Sequence, residues 1–231
     1  MKKILFAVAA IIGLAACTGT EQSATLQSGL DPAKFDTIIG GDTVKLYTLK
    51  NDKGMEVSIT NYGGRVVSLV VPDKDGKPTD VVLGYDNIAQ YADTVNSPSD
   101  YGSSVGRYAN RIEGAKFTLN DTVYNLRPND GPNCLHGGGD TGWMNKVYKA
   151  EQIGNNVLKL TIVAEDGENG FPGTITATTT ATKGILRFFF CLQGEALCLL
   201  QFIVCSIEFC LIFSICFLQF LCQHLDICQS Q

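Results

Sequence analysis

The sequence predicts an all-β fold, an antiparallel sandwich or barrel-like arrangement of strands, and three observations carry that expectation. Short apolar or alternating runs recur at roughly ten-residue spacing, separated by Gly-, Asn- and Asp-rich turns. No part of the polar middle of the chain shows the 3.6-residue periodicity of an amphipathic helix. At 45% hydrophobic and 18% charged residues, the chain is too apolar for disorder and long enough to bury a core.

The elements follow in order. Val44–Leu49 and Glu56–Thr60 read as strands around the turn Asn51-Asp52-Lys53-Gly54. Arg65–Val71 is a β-branched run closed by Pro72, and Asp73-Lys74-Asp75-Gly76 is a hairpin turn leading to a short strand at Asp80–Leu83. Ile88–Asp93 reads as one helical turn. Phe117–Leu119 and Thr122–Leu126 form a hairpin across Asn120-Asp121, and Tyr148–Ile153 and Val157–Ala164 form another across Gly154-Asn155-Asn156. Thr174–Thr182 alternates Thr with small or apolar residues as a last strand.

These strands occupy the middle of three compositional zones. In residues 1–17, Lys2 and Lys3 precede an apolar run, Ile4–Leu14, that is too short to span a bilayer. It ends in Leu14-Ala15-Ala16-Cys17 and resembles a bacterial lipoprotein signal, with Cys17 as the lipidated residue; an ordinary signal with an incidental Cys is the other reading. Acyl chains on Cys17 would anchor the chain to a membrane, exported and facing the periplasm or cell exterior, with residues 18–29 as a tether. Residues 30–183 are the expected β domain. Residues 184–231 hold seven of the nine cysteines and, from Ile185 onward, four charged residues and no Pro. A disulfide framework needs turn residues between its cysteines, and a zinc site needs paired Cys-x-x-Cys knuckles. Neither pattern is present. The Cys/Phe/Leu vocabulary reads as a reading-frame shift or a misjoined gene outside the fold. A membrane helix over 197–221, with Glu208 near its middle, and a genuine folded end are the alternatives.

Net charge is −5, from 18 Lys plus Arg and 23 Asp plus Glu, which argues against nucleic acid as a partner. Two constellations offer chemistry. His136 is one of two histidines and sits in Asn133-Cys134-Leu135-His136-Gly137-Gly138-Gly139, where neighbouring glycines permit unusual dihedrals and close approach. An imidazole there can exchange protons near neutral pH, or simply stabilise a turn. No second His or acidic cluster accompanies it, so no metal is expected. Cys134 is a lone thiol in the domain. The second constellation is Gly106-Arg107-Tyr108-Ala109-Asn110-Arg111-Ile112, whose Arg and Asn side chains suit sugar hydroxyls or, equally, a solvated hairpin end. If extended, it presents Arg107, Ala109 and Arg111 on one side and Tyr108 and Asn110 on the other. Gly137–Gly139 match neither a Walker loop nor a dinucleotide fingerprint. Trp143 reads as core or pocket wall.

Five motifs in order resemble the aldose 1-epimerase (galactose mutarotase) family over about residues 40–182: Asn61-Tyr62-Gly63-Gly64-Arg65-Val66, Asp80–Tyr85, Gly106–Ile112, Asn133–Gly138 with Trp143, and Asp166–Gly173. The resemblance implies a β-sandwich of the galactose mutarotase-like type that interconverts α and β anomers of aldohexoses such as galactose and glucose, without a cofactor. It implies that His136 is catalytic and also binds sugar near the ring oxygen, and that Asn110 and Arg111 hold hydroxyls. The family's second His and its late catalytic Glu find no match after Thr182. The expectation is therefore a truncated, inactive chain of an epimerase family. A non-catalytic carbohydrate-binding lipoprotein is the alternative, and a membrane protein spanning through residues 184–231 is a third class.

Overall fold

A computed structural model describes residues 26–182 and, for the backbone, 187–194. The expectations placed on Cys17, on the signal, on most of the tether and on residues 195–231 lie outside the described residues. The strands run in chain order as β1 (Thr37–Ile39), β2 (Asp42–Val44), β3 (Leu46–Lys50), β4 (Glu56–Thr60), β5 (Arg65–Pro72), β6 (Pro78–Asp80), β7 (Arg111–Ile112), β8 (Lys116–Leu119), β9 (Thr122–Asn125), β10 (Cys134–Leu135), β11 (Lys149–Ile153), β12 (Val157–Ala164), β13 (Ile175–Thr182) and β14 (Arg187–Gly194). One short helix, α1 (Ile88–Ala92), is capped by Asn87, whose side chain accepts from the Gln90 N–H.

Two four-stranded antiparallel sheets, β3-β4-β5-β6 and β11-β12-β13-β14, form the sandwich. Their inner faces follow from two-residue alternation. Leu158, Leu160, Ile162 and Ala164 of β12 and Ala177 and Ala181 of β13 point one way and meet Leu49, Val57 and Ile59 of the first sheet, with Trp143 and Tyr148. The β12–β13 register sets large against small, Leu158 opposite Ala181 and Ile162 opposite Ala177, which lets the layers interdigitate. Each fully buried Leu or Ile here contributes roughly 1.5–3 kcal/mol. On β5 the alternation slips. Ser58 faces Ser68 and Ile59 faces Val66, leaving Val67 as an extra residue in a bulge. Val66 and Leu69 therefore both reach the inter-sheet core, while Val67 joins Phe35, Val44, Tyr62, Ile88 and Tyr91 on the opposite face. Covered on both sides, β4 is buried throughout.

The two sheets are tied at one corner by Asn61. Its Oδ1 accepts from Lys45 N at 2.9 Å, and its Nδ2 donates to Thr43 O at 2.9 Å and to Tyr148 O at 3.0 Å. Tyr148 N returns a bond to Asn61 O, and Gly63 N donates to Lys146 O. A third, smaller core of Ala115, Leu126, Cys134 and Phe171 lies beneath the β8–β9 hairpin.

Two segments depart from the sequence-based boundaries. The strand expected at Asp80–Leu83 is β6, two residues earlier. The Asp73–Gly76 turn pairs Pro72 with Pro78, and Asp80 Oδ1 then accepts from Leu69 N and Val82 N, ending the ladder and leaving Leu83 exposed. The fold was expected to stop at residue 183, yet Arg187–Gly194 pairs with the whole of β13 as β14. The unpaired backbone edge of β13 supplies the physical reason, since any extended segment can satisfy it whatever its side chains. Among the described residues no helix is long and apolar enough to cross a membrane.

Candidate functional site

The β7–β10 pair brings the two sequence constellations together. Leu135 is registered opposite Arg111, so the next residue, His136, comes to lie beside Asn110. The two exchange bonds: His136 N donates to Asn110 O at 3.0 Å, and Asn110 N donates to His136 Nδ1 at 2.9 Å. Because Nδ1 accepts a backbone N–H, the neutral imidazole carries its proton on Nε2. Both residues hold left-handed backbone, with φ of 54° at His136 and 65° at Asn110. Such strain persists only where the surroundings over-determine it.

The surroundings are specific. Asn129 brackets β10, with Oδ1 accepting from Leu135 N at 2.7 Å and Nδ2 donating to Leu135 O at 3.0 Å. From below, the buried Asn169 donates to Gly137 O at 2.9 Å and to Cys134 Sγ at 3.5 Å, while its Oδ1 accepts from Arg127 N. Burial holds the Cys134 thiol above its ordinary pKa, and the Asn169 contact opposes this only in part. Trp143 is core: it is buried and lies flat against Gly106, where a Cβ would collide with the indole.

His136 lines a cavity of about 610 Å³ together with Asp100, Asn129, Asp140, Asn145 and Tyr91. Its Nε2 stands 3.9 Å from Asp100 Oδ2. A pocket of this size suits a small polar ligand. Its polar groups include both carboxylate acceptors and an imidazole donor, a pairing that suits hydroxyl groups. Among the described residues no three His, Cys, Asp or Glu side chains converge as a metal-ligand set.

The extended arrangement expected for residues 107–111 is not what forms. The left-handed turn at Asn110 breaks the alternation, so Arg107 and Arg111 part. Arg107 turns inward: Nη1 donates to Pro172 O at 3.1 Å and Gly173 O at 2.6 Å, Nη2 donates to Glu165 O, and the guanidinium lies over Phe171. It braces the Asp166–Gly173 loop. Arg111 turns outward and its Nε bonds Asp130 Oδ2 at 2.6 Å. Asn110 and Arg111 adjoin His136, but neither is among the cavity's lining residues. Asp100, Asn129 and Asn169 are site residues the sequence reading did not single out; the turn-like Pro128-Asn129-Asp130-Gly131 was the one available signal for Asn129.

Comparison with known proteins places this geometry. Residues 45–182 match the sequence model of the family described as aldose 1-epimerase. The chain is 36% identical over 140 residues to galactose mutarotase of Bos taurus, covering 61% of this chain and 39% of that protein. It is 32% identical over 138 residues to aldose 1-epimerase of Escherichia coli strain K12, covering 60% and 39%. The crystal structure of a GalM/aldose epimerase homologue from C. elegans superposes with a TM-score of 0.60 at 26% identity, over 66% of this chain and 46% of that one. The chain thus spans about two fifths of the length of the curated relatives it matches. With the motif order, the sandwich and the His136 loop in agreement, this chain belongs to the aldose 1-epimerase family.

Proposed function

We propose that the His136 cavity binds a free aldohexose and is the sugar-holding part of an aldose 1-epimerase site. The observation that carries this reading is the imidazole itself: the Asn110 N–H occupies Nδ1 and so leaves Nε2 as a donor in the cavity. Interconverting anomers requires that the anomeric hydroxyl lose a proton while the ring oxygen gains one, so an acid and a base must flank the sugar. His136 binds and orients the sugar near its ring oxygen, with the Nε2 proton turned toward the bound sugar because the Asn110 N–H occupies Nδ1. The family resemblance assigns the holding of hydroxyls to Asn110 and Arg111, which adjoin His136 without lining the cavity. The family resemblance assigns the base to a late Glu, and the described residues after Thr182, Arg187–Gly194, contain no His, Asp or Glu. Sugar binding is the property this reading shares with the non-catalytic carbohydrate-binding alternative, and anomer exchange is what separates the two.

Two measurements on the purified chain test this. Ligand-observed NMR with D-galactose and D-glucose reads binding, and polarimetry of fresh α-D-galactose reads anomer exchange. Binding that His136→Ala abolishes supports the site, and exchange well above the buffer rate shows that a base is supplied. Absence of sugar binding overturns the reading. The exported, lipid-anchored location belongs to the same proposal and rests on the Cys17 signal pattern; incorporation of radiolabelled palmitate that Cys17→Ser abolishes is the expected result.

A further inference from the structure

Arg65 is fully buried and has no carboxylate bonded to it. Its two terminal nitrogens donate to main chain instead: Nη1 to Ser99 O at 3.0 Å and Tyr101 O at 3.2 Å, and Nη2 to Met144 O at 2.9 Å. Two aromatic faces hold it, Tyr91 at 5.2 Å and Tyr62 at 5.7 Å from the ring centroids. The two carbonyls on Nη1 flank residue 100. The carbonyl of Asp100 itself accepts from Ser103 N at 3.1 Å and Ser103 Oγ at 2.8 Å. Three successive carbonyls are thus pinned, and the side chain they carry is the half-exposed carboxylate in the cavity facing His136.

We propose that Asp100 is a substrate-contacting residue, the acceptor that works with the His136 Nε2 donor on one sugar hydroxyl, and that Arg65 is its positioning residue. The separation supports this: 3.9 Å is too long for a direct hydrogen bond, yet a single hydroxyl oxygen reaches both groups at about 2.9 Å from the nitrogen and about 2.7 Å from the carboxylate. A hydroxyl accepts one bond and donates another, which neither an ether oxygen nor a second carboxylate does. Arg suits the positioning role because its planar fork engages two carbonyls on one side and a third on the other, a geometry a lysine ammonium does not reproduce.

The inference rests on the aldose reading of the cavity, and the test separates the two. Full-length chain is titrated by ligand-observed NMR with D-galactose, with 1,5-anhydrogalactitol and with 2-, 3-, 4- and 6-deoxygalactose, each lacking one hydroxyl. Asp100→Ala is expected to weaken D-galactose binding roughly ten- to hundredfold. One analogue is expected to bind wild type as weakly, and to be indifferent to Asp100→Ala. Unchanged D-galactose affinity in Asp100→Ala, or an equal loss across every analogue, overturns the inference while leaving the cavity as a sugar site. No binding of any sugar to wild type overturns the aldose reading and the inference with it. Arg65→Lys should reproduce the selective pattern in part; an equal loss for all analogues with a lowered melting temperature assigns Arg65 to the scaffold alone.

Discussion

Replacing Gly137 by Ala tests whether the His136 loop is held by the segment it faces. Gly137 has φ of +84°, and a Cβ there would strike the Gly106 carbonyl oxygen, with the carbonyl carbon at 2.5 Å and Arg107 N at 2.7 Å. All three atoms are backbone, and Gly106 is itself backed by Trp143, so nothing flexible can give way. The left-handed conformation costs an alanine roughly 1–2 kcal/mol. Displacing packed backbone costs roughly 1–3 kcal/mol more. Together they destabilise by about 2–5 kcal/mol, or roughly 4–20 °C in melting temperature for a domain of this size. Trp143 is the only tryptophan and touches the affected backbone, so its fluorescence in a urea titration reports the change directly. The midpoint should fall at unchanged slope. D-galactose affinity should fall roughly tenfold or more, because His136 moves with the loop. Gly139→Ala is the control: its Cβ meets nothing within 4 Å and its backbone is not left-handed, so its stability should stay within about 0.5 kcal/mol. A Gly137→Ala midpoint no lower than that of Gly139→Ala refutes the reasoning.

Asn61→Leu should cost about 3–5 kcal/mol by thermal or urea melting, because Lys45 N, Thr43 O and Tyr148 O lose their partner at a buried corner; a cost under 1 kcal/mol would show the corner is tied elsewhere. Stability should also fall at alkaline pH. Burial raises the phenol of Tyr148 well above its ordinary value of 10.0, with Ser104 and Arg65 opposing. The unfolded chain therefore sheds this proton first, so stability is complete below about pH 10 and declines as pH rises beyond it. Tyr148→Phe should flatten that decline; an unaltered alkaline slope in urea titrations at pH 9 to 11 would assign the effect to other groups.

The strands were legible because their signals are local. Val57 and Ile59 alternate with polar neighbours, Asn51–Gly54 and Asp73–Gly76 are turns by residue type, and Leu158 to Ala164 repeat every second residue. The glycines beside His136 marked its loop in the sequence for the same reason, and the β7–β10 register then sets that loop next to Asn110. What the tertiary structure alone decided is what surrounds His136. Asp100 and Arg65 become a unit only because Arg65 bonds carbonyls 34, 36 and 79 residues away in the chain. Asn169 supports the His136 loop from 32 residues beyond Gly137. Arg107 and Arg111, four positions apart and expected together, part company at one left-handed turn. Hydrophobic periodicity records which face of a segment is buried, and turn residues record where it reverses. Neither records which distant carbonyl a buried guanidinium will find, because that is fixed only when both sheets close on one core.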